Sequence, residues 1–283
     1  MSFTQQQKQA SSWFLELRNK ICAEFELIEQ EFSGNNSVKF QQKTWQRFDE
    51  TTKQNGGYGE MSMMKGQVFE KVGVNFSQVF GKFSDKFKHE IPGAEVDSSF
   101  WASGISLVAH MSSPLVPAVH LNTRFICTTK SWFGGGADLN PAITNQQDTA
   151  DFHQAMQQAC NKTDAGYYDK FKQWCDEYFF IKHRNVARGV GGIFYDYLNT
   201  NNFENDFTFT QNVGLAFLDI FPKIVRRNMH LAYNQAQKQQ QLCYRGLYAE
   251  FNLIYDRGTR FGLLTNGNPE AILMSLPPVA VWQ

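Results

Sequence analysis

The N-terminal segment repeats its apolar residues every three or four positions, which is the period of one face of an α-helix. The residues that follow this pattern are Trp13, Phe14, Leu17, Ile21, Phe25 and Ile28. We therefore predict an amphipathic helix over residues 5–32, ended by the Ser-Gly-Asn-Asn turn that begins at Ser33.

Two later segments alternate polar and apolar residues, as a β-strand with one polar face does. Ser106 lies on the polar side of the first segment, and His120, Asn122 and Arg124 share one side of the second. Three hydrogen-bonding side chains on one face are unusual for a packed core. The second strand therefore indicates either a ligand-binding surface or an edge strand that faces solvent.

The rest of the chain mixes further helices and strands. We predict strands over 40–48 and 193–197, a helix capped by Asp148, and a helix over 171–181 that ends in Lys182, His183 and Arg184. A helical region follows over 207–240 and is kinked or split at Pro222. We also predict a hairpin over 248–264 that turns at 256–258, and a helix over 269–276 capped by Asn268. No linker or repeat separates these elements, so we expect one domain over residues 1–283.

Composition narrows the class of protein. Hydrophobic residues make up 42% of the chain and there are 26 phenylalanines, so we expect a large aromatic core. Lys plus Arg and Asp plus Glu are both 27, a balance that argues against a nucleic-acid partner. No apolar stretch is long enough for a signal peptide or a membrane span, which predicts a cytoplasmic protein. Five cysteines at irregular spacing indicate reduced, mostly buried thiols.

A glycine-rich motif follows the polar strand. Residues 132–139 read Trp-Phe-Gly-Gly-Gly-Ala-Asp-Leu, and because no Lys-Ser or Lys-Thr pair follows, this is not a phosphate-binding loop. Glycines permit close backbone approach. The motif predicts either a tight bend in a sheet or a segment that delivers Asp138 into a pocket, where burial raises the carboxyl pKa and fits it for proton exchange.

From Phe69 onward, these segments resemble the oxygen-dependent coproporphyrinogen III oxidase family in their order along the chain and in their amino-acid sequence. The matching segments are residues 69–71 (Phe-Glu-Lys), 74–77 (Val-Asn-Phe-Ser), 120–125, 132–139, 172–188, 189–198, 250–253 (Glu-Phe-Asn-Leu), 255–259 (Tyr-Asp-Arg-Gly-Thr) and 272–278. Matches of this length in one order go far beyond chance.

The resemblance implies an α+β fold, in which one large antiparallel sheet is flanked by helices on both faces of a single domain. It also implies a homodimer with a cleft over the sheet. The implied enzyme of haem biosynthesis converts two propionates of coproporphyrinogen III to vinyl groups and gives protoporphyrinogen IX. Molecular oxygen is the co-substrate and no organic cofactor is expected.

Single residues acquire roles from the same resemblance. His120 matches a proton donor, and Asp138 matches the carboxylate that binds pyrrole nitrogens. Ser106, Asn122 and Arg124 match substrate contacts, which suits a substrate that carries four propionates and four pyrrole N–H groups. We hypothesise that Asp138 helps to remove a pyrrole proton, so that the electron-rich ring reacts with oxygen.

Two further sets of residues follow from the resemblance. Asn266, Gly267 and Asn268 match a substrate-contacting turn in which the family usually has an arginine. Either Arg184, Arg188 or Arg260 replaces that arginine, or the affinity for the substrate is weaker. The histidines that match proposed ligands of a divalent metal are His110, His120, His153 and His183. They lack the spacing of a helical zinc site, so such ligands would have to converge from separate elements.

Two alternative functions remain open at this stage. A degenerate relative would bind a tetrapyrrole without converting it, and would consume no oxygen. An oxygenase for an unrelated substrate would depend on a metal held by the four histidines, and would lose activity with a chelator.

Overall fold

The structure is a computed structural model that describes residues 3–48, 54–84, 88–89, 91–264 and 267–282. Asn266, one of the predicted substrate contacts, lies outside these residues. The first half of the chain forms α1 (Phe3–Ser33), β1 (Gln41–Phe48), β2 (Asn55–Met64), β3 (Phe69–Lys82), β4 (Ser99–Met111), β5 (Ala118–Cys127) and β6 (Ser131–Asn140). The second half forms α2 (Gln146–Asn161), α3 (Tyr167–Tyr178), β7 (Phe180–Ile181), β8 (Val186–Ala187), β9 (Gly191–Leu198), α4 (Phe203–Asn228), α5 (Gln235–Ile254), α6 (Arg257–Leu264) and α7 (Pro269–Ile272).

Seven strands form one sheet in the order β1-β2-β3-β4-β5-β6-β9. Every neighbouring pair is antiparallel. Strands β7 and β8 form a separate two-stranded ribbon. The predicted fold class, an antiparallel sheet flanked by helices, is confirmed.

The first face of the sheet carries the main hydrophobic core. Strand alternation places Leu107, Leu121 and Phe125 on this face, where each is at most 1% exposed. Helices α1 and α4 pack against it. The apolar stripe of α1 is buried there except for Trp13, which is partly buried, so the predicted amphipathic helix is confirmed.

The second face is only partly covered. Val108 packs there against Tyr248 of α5 and against Met274, which follows α7. Phe194 of β9 packs against Phe251 of α5. Because the helices on this face leave the centre of the sheet open, side chains of β4 and β5 reach solvent between these two clusters.

The predicted hairpin over 248–264 is wrong, because α5 continues to Ile254 and α6 begins at Arg257. Asp256 caps α6: its Oδ2 accepts hydrogen bonds from the Thr259 backbone N–H and hydroxyl, both at 2.7 Å. The sequence Asp-Arg-Gly therefore starts a helix here, although the same residues suit a turn.

Three smaller predictions about helix ends are also wrong. The helical region is not split at Pro222, which lies inside a continuous α4, and it breaks instead between Asn228 and Gln235; a kink at Pro222 stays a prediction. Asn145, and not Asp148, caps α2. The segment Lys182–Arg184 is a short 3₁₀-helix after β7 and not the end of α3. The predicted cap of α7 by Asn268 is confirmed.

The cysteines and the helices bear on two predictions from composition. All five cysteines are free, and only Cys243 is not buried, so the prediction of reduced, mostly buried thiols is confirmed. Among the described residues, no helix is both long and apolar enough to cross a membrane.

Candidate active site

A row of polar side chains runs along β5 on the open second face of the sheet. His120, Asn122 and Arg124 project from alternate positions, as the sequence pattern predicts. On the β6 side, Arg124 lies opposite Gly134 and Asn122 lies opposite Gly136. The glycines carry no side chain of their own, and the Arg124 and Asp196 side chains lie over Gly134.

The exposure of these residues locates an opening above the sheet. Ser106, which pairs with Asn122 on the adjacent strand, is exposed although β4 lies in the middle of the sheet. The Arg124 side chain is 29% exposed and the His120 side chain is 14% exposed. The four predicted contacts Ser106, His120, Asn122 and Arg124 therefore lie together on one accessible surface.

Hydrogen bonds connect the row into one chain. His120 Nδ1 lies 2.8 Å from Asp138 Oδ1, and His120 Nε2 lies 3.2 Å from Asn122 Nδ2. Arg124 donates from Nη1 to Asn122 Oδ1 at 3.0 Å and pairs with Asp196 of β9 at 2.9 Å. The side chains therefore hold one another in fixed orientations.

Asp138 lies behind His120 and is only 2% exposed. Its Oδ2 accepts hydrogen bonds from Arg188 at 2.6 Å and from Asn140 at 2.9 Å. Burial alone raises the pKa of this carboxyl, but the Arg188 charge and the His120 hydrogen bond outweigh it and lower the pKa to about 2. The predicted upward shift is therefore wrong, and Asp138 is a buried anion.

The sequence profile of the family described as coproporphyrinogen III oxidase matches residues 9–283. The chain belongs to the coproporphyrinogen III oxidase family. It is 59% identical over 275 residues to the oxygen-dependent coproporphyrinogen-III oxidase of Rickettsia bellii strain OSU 85-389, which covers 96% of both chains. The proteins of the same name from Rickettsia akari and Rickettsia rickettsii strain Sheila Smith are 59% and 58% identical over 271 residues, or 95% of both chains.

Three arginines were candidates to replace the missing substrate-contacting arginine of the coproporphyrinogen III oxidase family. They differ in their exposure to solvent and in their partners. Arg188 is 2% exposed and paired with Asp138, so it is not available to a propionate. Arg184 forms a two-fold contact with Glu250 outside the polar row. Arg260 is exposed on α6.

Arg257 is a candidate that the sequence analysis missed. Its guanidinium lies 5.0 Å from the ring centre of Tyr178 and 3.7 Å from Asp196, the carboxylate that also pairs with Arg124. Two guanidinium groups thus approach the same end of the polar row. A hairpin turn at Asp-Arg-Gly gives Arg257 no place beside the strand, whereas the helix that starts after Asp256 brings its guanidinium next to Asp196.

The four histidines predicted as metal ligands do not meet. His110 is buried against the Ser275 carbonyl, and His183 lies between Tyr255 and Glu250. The partners of His153 are Tyr168 and the Val190 carbonyl, whereas His120 contacts Asp138. Within the described ranges, no group of three or more His, Cys, Asp or Glu side chains could hold a metal ion. The prediction of one four-histidine site in this chain is therefore wrong, because these residues do not fit a shared metal.

Gly267 and Asn268 connect α6 to α7. The Gly267 N–H donates to the Gly262 carbonyl at 2.8 Å, and Asn268 Oδ1 accepts from the Glu270 N–H at 3.0 Å. Both residues therefore have a structural role at this turn. Their contact with a substrate stays a prediction.

Proposed function

We propose that this chain catalyses the oxygen-dependent conversion of two propionates of coproporphyrinogen III to vinyl groups and so produces protoporphyrinogen IX for haem biosynthesis. Membership of the coproporphyrinogen III oxidase family supports this proposal, as does the printed name of the rickettsial relatives. The observation that carries it in the structure is the polar row of His120, Asn122 and Arg124 on an open sheet face.

The surroundings of the row suit the chemistry of this substrate. Its propionates are anions, and Arg124 and Arg257 offer two guanidinium groups that are both partly exposed. Guanidinium groups bind carboxylates through paired, charge-assisted hydrogen bonds. Its macrocycle is broad and apolar, and the exposed Ser106 on the neighbouring strand marks an opening on the β4 side of the row.

Each conversion breaks one C–H bond of the propionate β-carbon and the C–C bond to the carboxylate, which leaves as carbon dioxide. Molecular oxygen takes up the two electrons with two protons, one from the β-carbon and one from the solvent, and leaves as hydrogen peroxide. The sequence analysis gives the removal of a pyrrole proton to Asp138, but Asp138 is only 2% exposed and lies behind His120. We therefore propose that His120, which is partly exposed, takes the pyrrole proton and so makes the ring more electron-rich. Asp138 supports this step from behind by accepting the hydrogen bond from His120 Nδ1. The proposed reaction uses no organic cofactor, and the absence of a cofactor stays a prediction.

We also propose that the protein is a cytoplasmic homodimer. Leu253, Ile254, Phe261 and Leu263 are 54%, 48%, 37% and 40% exposed along α5 and α6. Exposed apolar side chains in one stretch of chain are typical of a surface that a partner covers. Five free cysteines are typical of a reducing compartment.

The test is to incubate the purified protein with coproporphyrinogen III, with and without oxygen, and to separate the oxidised porphyrins by chromatography. We expect a dicarboxylate product that forms through a tricarboxylate intermediate only when oxygen is present. Arg124→Gln should reduce product formation strongly. Lys223→Gln is the matched control, since it also removes one positive charge but lies in an exposed pair with Asp219.

Binding of the tetrapyrrole without oxygen consumption would contradict the proposal and favour a degenerate binding protein. Equal activity of the two variants would contradict the assignment of Arg124.

A further inference from the structure

We propose that Arg188 is a positioning residue for His120: through Asp138, it determines which ring nitrogen of His120 carries the proton. This inference rests on the proposed function, because it assigns a role within the same site. Arg188 itself has no access to a substrate. It acts on His120, whose side chain is accessible to a substrate.

Arg188 is held rigidly on the side of Asp138 that faces away from His120. Its guanidinium carbon lies 3.8 Å from the ring centre of Phe179, 4.7 Å from Phe251 and 4.8 Å from Tyr248. Its Nη2 donates to Asp138 Oδ2 at 2.6 Å. A buried charge pair is costly to desolvate, and stability alone is a weak reason for it.

Because of Arg188 and Asn140, only one carboxylate oxygen of Asp138 is available to His120. Both donate to Oδ2, at 2.6 and 2.9 Å, so Oδ1 is the oxygen that remains for the imidazole. Oδ1 lies 2.8 Å from His120 Nδ1. An ionised carboxylate only accepts hydrogen bonds, so Nδ1 must carry a proton.

The other end of the chain of hydrogen bonds requires the same tautomer. Arg124 donates to Asn122 Oδ1 at 3.0 Å, which assigns the oxygen and nitrogen of that amide. Asn122 Nδ2 therefore faces His120 Nε2 at 3.2 Å. Since an amide nitrogen only donates, Nε2 must be the acceptor and carries no proton.

The two arginines thus act from opposite ends on one imidazole. In this arrangement of hydrogen bonds, His120 has its proton on Nδ1 and a lone pair on Nε2 before substrate binds. It is prepared to accept a proton on the side of the ring away from Asp138. Once Nε2 is protonated, Asn122 can no longer donate to it, and its amide is released towards the ligand.

Nitrogen NMR of the full chain with labelled histidine tests this directly, because the two tautomers give different shifts at Nδ1 and Nε2. The His120 signals are identified by their loss in His120→Gln. We expect a protonated Nδ1 and an unprotonated Nε2 in the unmodified protein. A protonated Nε2 in the neutral ring would overturn the proposal.

Asp138→Asn is the sharpest variant. Arg188 and Asn140 both donate, so they hold the amide oxygen of Asn at the Oδ2 position and turn its NH₂ group towards His120 Nδ1. Nδ1 must then accept, and the proton moves to Nε2. We expect the tautomer to switch and kcat to fall by at least about a hundred-fold, as in hydrolases whose histidine is held in the wrong tautomer. An unchanged tautomer would overturn the role of Arg188.

Arg188→Met removes the cation, so Asp138 takes up a proton and can donate to Nδ1. We expect a mixture of tautomers, a reduced kcat and a nearly unchanged KM, with partial recovery in Arg188→Lys. Arg184→Met is the matched control, since Arg184 is exposed and bound to Glu250. A purely structural Arg188 would lower the melting temperature and leave the tautomer unchanged. If Arg188→Met does not fold, Arg188→Gln takes its place, since it removes the charge and keeps an N–H donor for Asp138; an unchanged tautomer and kcat in that variant would overturn the role of Arg188.

The spectrum does not depend on turnover. A wild-type protein that lacks oxidase activity but shows the Nδ1–H tautomer would refute the proposed function alone.

Discussion

Gly134 sets the position of the Arg124 guanidinium, so Gly134→Ala tests the assignment of Arg124 without changing that residue. The two lie opposite each other on β6 and β5. A Cβ at position 134 would lie 2.8 Å from Arg124 Nε, 2.9 Å from Arg124 Cζ and 2.7 Å from Asp196 Oδ1. These separations are shorter than van der Waals contact, so the guanidinium and the carboxylate must both move.

The cost falls on the site and not on the fold. The displaced atoms are the far ends of flexible side chains, and alanine can return up to about 1 kcal/mol by restricting the unfolded chain. A hydrogen bond to a charged group contributes about 2 kcal/mol, and the loss of one weakens binding by about thirty-fold. We expect KM for coproporphyrinogen III to rise by about this factor, with a smaller effect on kcat because His120 and Asp138 keep their partners.

The assay measures oxygen consumption and product formation over a range of substrate concentrations, together with the melting temperature. Gly166→Ala is the control, because the nearest atom to its Cβ would be Asp164 Oδ1 at 3.3 Å, at the start of α3. It should leave KM unchanged. An unchanged KM in Gly134→Ala would refute the placement of Arg124 in the site, and a large loss of stability would refute the assumption that the clash is confined to side chains.

Three further perturbations give defined outcomes. Burial lowers the pKa of His110 to about 3 from its ordinary value of 6.5, so the unfolded chain gains a proton that the folded chain excludes, and stability falls as pH drops below about 6.5. Urea unfolding should show about 2 kcal/mol lost from this group between pH 6.5 and pH 5, and His110→Gln should lack this loss. Ser106→Trp should place an indole over the open sheet face, so that activity is lost while the melting temperature is kept; retained activity would contradict the site. Asp256→Ala should cost about 1 kcal/mol and speed hydrogen exchange in α6, whereas Asp256→Asn should keep the cap.

The local periodicity of polar and apolar residues was sufficient to predict the helices and strands that bury one face. The stripe of α1 and the alternation of β5 each report which side of a segment meets the core, and both appear in the structure as predicted. The polar face of β5 was informative for the same reason. Three polar side chains at alternate positions must share a surface whenever the segment is a strand.

The chemistry within that surface was decided by residues distant in sequence. Asp138 is anionic because Arg188, fifty residues further along the chain, lies 2.6 Å from it, whereas its own neighbours suggested a buried acid with a raised pKa. The four histidines appeared as one set in the sequence but have separate partners in the fold. Arg257 lies at the site because Asp256 caps a helix that begins at this residue. Sequence periodicity reports the burial of a face, while charge states and ligand sets depend on distances that only tertiary packing determines.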